Sequence, residues 1–456
     1  MRHKILFLSI IYILMANLAL AATNDWKRYP YQASGSEIVF PKDEGAHPGI
    51  PNMEWWYSVM HLKGQSSGDH YSVLVTHFNN HIRFFTVTNL DKGTHTSGTT
   101  MGVLRSQKGK LNIAHLTKYG KDIFRSKTDG KGRLIPFEYE IKTHHDQMQL
   151  NVTLNSQKRP LMVTGDGLVT VGTSGYSYYY SLTRLQVEGQ LSYLGTTEQV
   201  KGDGWMDHQW GPFIISPFEI GRAFETYEWF CVQLDNGQEL MISNIFDREY
   251  HLPMTEEYGG IELVRPDGKS MHLYERDFKR TGYWQDPVSK NYMSMGWELD
   301  VPQWNLHLKL QPDFLDQMVR LPAKGSFWEG SISVTGLVDN RPVKGKAFGE
   351  LIHRYQKPEL TLAPIKTTLR KDENLKIQWR VKNPDDGNPL HYNVYLVHNG
   401  LEVAIARNLL DNTFEAKIDT ILTSPNGAKI KIKVQASSVD GKLEDSVLSS
   451  ELNVLP

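Results

Sequence analysis

Hydrophobic and polar positions alternate along much of the chain. "HYSVLVTHF", "IRFFTVTNL", "FEYEIKT", "QMQLNVTL", "LHLKLQ" and "GSISVTGLV" are short, rich in β-branched and aromatic residues, and repeat with a period of two. That period puts successive side chains on opposite faces of a strand. Clusters of Gly, Asn and Asp separate the runs, as turns require. Asn79-Asn80 in "THFNNHIRF" reads as a two-residue hairpin turn, because Asn tolerates positive φ. Long helical periodicities are scarce. The pattern predicts an all-β chain of barrels or sandwiches.

"EWWYSVMHLKGQ", from Glu54, is echoed by "EWFCVQLDNGQ", from Glu228. Each is an acid, then aromatics, an apolar strand and a Gly turn. The spacing predicts two related β-domains, residues 22–200 and 201–357. Prolines in "KPELTLAPIKTT" end the pattern. Residues 358–456 resemble a fibronectin type III module, with Trp379 in "LKIQWRV", a turn at Asp385-Asp386-Gly387, then "YNVYL" and "IKVQASSVDGK". The resemblance implies a β-sandwich and brings no catalytic residue.

Length and charge narrow the picture. A chain of 456 residues exceeds one ordinary domain, and a net charge of −1 gives no argument for a nucleic-acid partner. Basic "MRHK", apolar "ILFLSIIYILM" and small "LALAA" read as a signal peptide over residues 1–21, predicting a periplasmic or secreted protein. Cys231 stands alone, so no intrachain disulfide forms; in "EWFCVQL" it reads as a small buried hydrophobe.

Candidate chemistry concentrates in "AHPGIPNMEWWYSVMHL" and "GDGWMDHQWG". The chain has no H-E-x-x-H, Walker loop or strand-borne G-x-G-x-x-G. His77 and His81 flank a hairpin turn and His144-His145 point to opposite faces, so neither pair predicts a metal site. If 205–210 is extended, Trp205, Asp207 and Gln209 share one face, and Met206, His208 and Trp210 the other. Only a bend, which Gly202, Gly204 and Gly211 would permit, brings Asp207 and His208 into one cavity. By the same count Glu54 and Trp56 lie opposite Trp55 and Tyr57. A carboxyl among aromatics loses solvation and its pKa rises; kept protonated, it can donate a proton. The plainer alternative is a Trp-rich core strand whose Asp and His bond the backbone. Arg222 reads as a partner for Glu225, Glu228 or Asp207, Trp328 as core, and the "YSYYY" tyrosines as a strand with one solvated face.

His47-Pro48, Glu54-Trp55-Trp56-Tyr57, Gly202 through Gly211, and "SFWEGSISVTGLVDNRPVKGKAFGELIHRY" follow one another in an order that resembles the AttH-like / carotenoid 1,2-hydratase family, over residues 36–356. The resemblance implies two tandem lipocalin-like β-barrels with apolar cavities, here followed by the sandwich. For some members it implies hydration of the terminal double bond of an acyclic carotenoid. In that reading Asp207 protonates an isoprenoid alkene, and His208 or His47 activates the water that adds. Trp205, Trp210, Trp56 or Tyr57 stabilises the carbocation. Glu54, Trp229 and Arg222 complete the expected ligand-binding set. No metal or organic cofactor is expected. The expected partner is a hydrophobic small molecule, an isoprenoid or lipid; peripheral membrane contact is compatible, nucleic acid is not expected, and oligomeric state is left open. Two alternatives stay open: a non-catalytic carrier of a hydrophobic ligand, and a surface or attachment protein. Fold alone does not carry reaction type.

Overall fold

The alternating runs become strands of two large antiparallel sheets. The computed structural model describes residues 25–49, 53–213, 225–321, 325–382, 388–418 and 428–456. The expected signal peptide, Arg222 and the turn at Asp385-Asp386-Gly387 lie outside the described residues.

The first sheet runs from Thr94–Met101 through Ile82–Asn89, His70–Phe78, Met53–Gly64, Thr196–Gly211 and Tyr176–Tyr193 to Val103–Ser106. Its two edge strands are consecutive in the chain, so the sheet curls into a nearly closed barrel. The second sheet, built from strands between Thr226 and Leu351, is a half-barrel. The architecture is the expected pair of lipocalin-like units.

The boundary between them differs from the expected one at residue 200. Thr196–Gly211 pairs with Met53–Gly64 on one side and Tyr176–Tyr193 on the other. The first barrel therefore runs through Gly211, and "GWMDHQWG" belongs to it rather than to the second domain. The reason is closure: the strand opening the barrel must pair with one that returns late in the chain. Glycine at 202 serves this pairing and makes no bend. A Cβ there would sit 1.9 Å from the His61 carbonyl oxygen. The hairpin at Asn79-Asn80 is longer than expected, with His81 taking the positive φ.

The lumen of the first barrel is not an apolar cavity. Trp56, Met60, Val73, Phe85, Phe124, Tyr139, Leu182 and Met206 fill it as a packed core. Phe230, Leu240, Trp297, Leu308, Trp328 and Ile332 do the same on the concave face of the half-barrel. The outer faces of the two sheets pack against each other, Tyr57, Tyr179 and Trp205 meeting Trp229, Cys231, Met241 and Phe348. Polar clasps frame this interface. Buried Lys158 donates to Glu239 at 2.6 Å and to the Arg265 carbonyl at 3.0 Å, and Arg184 reaches the same carboxylate at 2.5 Å.

Beyond residue 358, two small sheets face each other across one core, where Trp379 packs on Tyr392. This unit docks on the half-barrel: Asp440 accepts the Tyr283 N–H at 2.7 Å, and Asn388 the Arg280 N–H at 3.1 Å.

Candidate active site

Residues 205–210 keep an unbroken register against Glu54–Val59. Their side chains therefore leave in two directions, with no bend to reunite them. Asp207 points out of the barrel, in the row Ser181–Asp207–Tyr57; His208 points in, in the row Tyr180–His208–Trp56. The expected pairing of Asp207 with His208 or His47 over one substrate is thus overturned by ordinary strand geometry.

Outside the barrel, Asp207 enters a cleft between the two sheets. The cleft opens to solvent, and its walls include Trp55, Tyr57, Tyr179, Trp229, Glu350 and the Glu262–His272 pair. Asp207 accepts hydrogen bonds from Tyr179 Oη at 2.8 Å, Ser181 Oγ at 2.5 Å and Trp205 Nε1 at 2.7 Å. Burial nevertheless dominates and pushes its pKa up to about 7, against those three donors. Facing it, the half-barrel presents the row Trp229–Glu350–Glu329. Tyr227 Oη donates to Glu350 at 2.6 Å, and Tyr57 Oη crosses between the domains to Glu329 at 3.1 Å. Burial raises Glu350 to about 7, against its Tyr227 bond, and the nearby charge of Asp207 adds to the rise. Burial and the Glu350 charge raise Glu329 well above the ordinary carboxylate range. Burial therefore disfavours ionisation of all three carboxyls, and the charge of Glu350 ties the titration of Glu329 to its own.

Inside the barrel a second polar group forms. Glu54 Oε1 lies 2.8 Å from His47 Nδ1 and 3.1 Å from His208 Nε2, and the His47 N–H also donates to this carboxylate. Burial works to raise the Glu54 pKa, but the bonds from His208 and His47 outweigh it and lower it to about 2. His47 stacks on Trp210 with ring centroids 4.0 Å apart, and His208 on Trp56 at 4.8 Å.

The expected site residues thus divide. Asp207, Tyr57 and Trp229 line the cleft. Trp205 stands behind Asp207 as a hydrogen-bond donor. His47, Glu54, Trp56, His208 and Trp210 belong to the barrel interior, on the other face of the sheet from the Asp207 carboxyl. Both Tyr179 and Tyr180 are buried, one on each face, so the tyrosine strand has no solvated side there. The sequence reading missed Glu350, Tyr179, Tyr227 and Trp55 as cleft residues and the role of Glu329. A signal existed for the acids: each is a lone carboxyl in an apolar, aromatic strand, the same feature that marked Asp207.

The sequence profile described as AttH-like matches residues 31–355. The chain belongs to the AttH-like family. This AttH-like chain is 21% identical over 217 residues to kievitone hydratase of Fusarium solani subsp. phaseoli, a match covering 46% of the chain and 58% of that protein. The match thus spans little more than half of that hydratase. Among solved structures, a putative AttH of Nitrosomonas europaea superposes with TM-score 0.56 at 19% identity, over 71% of the AttH-like chain and 99% of its own. Kievitone hydratase of Nectria haematococca superposes with TM-score 0.54 at 18% identity, over 72% and 98%. At these identities the superpositions speak for fold.

Proposed function

We propose that the protein is a hydratase that adds water across a carbon–carbon double bond of a small hydrophobic molecule bound between the two β-units. The observation that carries this reading is Asp207: a buried carboxyl, protonatable near neutrality, on an aromatic-walled cleft and opposite a second carboxyl of matched acidity. The AttH-like membership and the kievitone hydratase match support the reaction class.

The chemistry needs only the chain's own groups and water. The Asp207 carboxylic acid gives its proton to one alkene carbon; the π bond breaks and a C–H bond forms. The other carbon becomes a carbocation, best stabilised where it is tertiary, as in an isoprenoid. The π faces of Trp229, Trp55 and Tyr57 attract it, each worth up to about 2 kcal/mol once water is excluded. Water attacks that carbon, a C–O bond forms, and the surplus proton passes to the Glu350 carboxylate. Transfer from Glu350 back to Asp207, directly or through water, resets the site. Two acids of matched pKa suit such an exchange, since either can be donor or acceptor at neutral pH.

The test is to incubate the purified chain with a panel of isoprenoid and prenylated alkenes in water labelled with heavy oxygen. A product heavier than substrate by one labelled water, absent with Asp207→Asn, supports the proposal. Stoichiometric binding without product would favour the carrier reading instead.

A further inference from the structure

The cleft leaves the strongest motif residues without a task. Glu54 and His208 lie on the far face of the same strands, with His47 docked against them from the preceding segment, walled off from Asp207 by the barrel sheet. We propose that they form a binding site for a divalent transition-metal ion of the zinc type, a clasp that fastens the segment before the first long strand to the barrel.

The geometry points there. One donor atom from each of His47, Glu54 and His208 lies within 4.8 Å of the other two. Two imidazole nitrogens and one carboxylate oxygen are a donor set that zinc takes at about 2.0–2.2 Å each, leaving a further position for water. Donors at such distances from one ion sit roughly 3–3.5 Å apart. Glu54 Oε1 already lies 2.8 Å from one imidazole nitrogen and 3.1 Å from the other.

The surroundings are built rather than incidental. Glu54 and His208 are buried, while His47 is only partly so, which leaves a side for the ion to enter. Stacking on Trp210 and Trp56 fixes both ring planes. His47 presents its other nitrogen, Nε2, to Asp43 Oδ1 at 3.3 Å, the carboxylate–histidine arrangement that orients a metal-bound imidazole. Charge agrees too. Glu54 and Asp43 are buried acids, and Lys42, 3.4 Å from Asp43, is largely exposed. A dication balances the two carboxylates. On binding, the ion replaces the hydrogen bonds between the imidazoles and Glu54: a neutral imidazole keeps its proton on the other ring nitrogen, and a charged one releases its second proton to solvent.

The ligands come from three places in the chain: His47 from the segment ahead of the barrel, Glu54 from its opening strand, and His208 from the strand that closes it. Metal binding would therefore add directly to the barrel's stability.

Untagged full-length protein, stripped with chelator and desalted, is titrated with zinc chloride by calorimetry, and its metal content is measured after gel filtration. About one zinc per chain, with a thermal midpoint that rises with zinc, is expected. His47→Ala and His208→Ala abolish both effects, and Asp43→Asn weakens binding 10–100-fold. Uptake below about a tenth of an ion per chain overturns the proposal, as does uptake unchanged in a folded His47→Ala protein. Should that variant not fold, cobalt(II) bound to the wild-type chain decides. Intense visible bands support a four- or five-coordinate nitrogen–oxygen site; a weak spectrum like that of the hydrated ion sinks it. None of these readouts needs turnover, so failure here is separable from failure of the hydratase reading.

Discussion

Asp207→Asn tests the protonated carboxyl through folding as well as through turnover. The substitution keeps the shape and removes the ionisation. Asn Oδ1 can still accept from Ser181 and Trp205, and its amide can face Tyr179 Oη, whose oxygen accepts as well as donates. In the folded chain the carboxyl titrates at about 7 rather than 3.8, a rise of about three pH units. At about 1.4 kcal/mol per unit, ionised Asp207 costs the native state about 4 kcal/mol, as an order of magnitude. The sign follows from linkage. Below about pH 4 the acid is protonated in both states and nothing is lost. As pH rises from about 4 to about 7 the unfolded chain ionises first, so native stability falls. Above about 7 the native acid ionises too, and the cost stays level. Urea unfolding of both proteins across this range, compared pH by pH, cancels the titrating groups that do not interact with Asp207; Glu350, which feels the Asp207 charge, adds a smaller difference of its own. The two should match near pH 4, and Asp207→Asn should gain up to about 4 kcal/mol by pH 8 while losing at least about 10²-fold in turnover. A stability gap that does not change with pH would refute the raised pKa and with it the proton donor.

Four further outcomes follow from the same geometry. Hydratase activity should fall as pH rises through about 7, because the donor must be protonated, and a pH–rate profile flat to pH 9 contradicts this. Glu350→Gln should cut kcat by about 10²–10⁴-fold while ligand affinity, read by tryptophan fluorescence, changes little; it should also lower the Asp207 pKa, visible as a shifted pH–rate limb. Lys158→Ala removes a buried cation bonded to Glu239 and the Arg265 carbonyl. It should cost about 3 kcal/mol, the lower end for a broken buried pair because Arg184 still serves Glu239, and calorimetry should show the two β-units unfolding less cooperatively. Gly202→Ala forces a Cβ against the His61 carbonyl and should destabilise by about 1–3 kcal/mol or more in denaturant titration.

The strand content and the facing of individual residues were legible because a two-residue period is a local property. "GWMDHQWG" and "EWWY" sort their side chains as alternation dictates. Pairing is not local. Nothing in the composition of residues 196–211 says that this strand returns to Met53–Gly64, so the domain boundary was misplaced and the motif assigned to the wrong barrel. The cleft was invisible for the same reason: Glu350 and Glu329 become partners of Asp207 only once two sheets stack outer face to outer face. His47, Glu54 and His208 were each singled out, but their convergence needs the barrel to close. The spacing rules that dismissed His77 with His81 could not see that buried His77 meets His115, Nδ1 to Nδ1 at 3.2 Å, from a distant strand.

The internal echo explains why the cleft lies between the domains rather than inside one. In "EWWY" the acid and second tryptophan face the barrel interior, while Trp55 and Tyr57 face out. In "EWFC" Glu228 and Phe230 face the half-barrel's concave side, while Trp229 and Cys231 face out. The inward acids are both held by hydrogen bonds, Glu54 by His47 and His208, Glu228 by Tyr355 at 2.8 Å and by Ser294. Each domain thus turns the same strand segment toward the other, back to back. A solitary barrel of this kind would expose an aromatic stripe to water, and packing two together removes that exposure. The acids sit within this dry seam, where burial lifts their pKa toward neutrality. Neither domain holds the arrangement alone: Asp207 and Tyr57 come from the first, Glu350, Glu329 and Trp229 from the second, and the Tyr57–Glu329 bond ties them. A chain with one domain deleted should therefore lose the raised Asp207 pKa even if its own barrel folds, since water then reaches the carboxyl and restores its ordinary acidity.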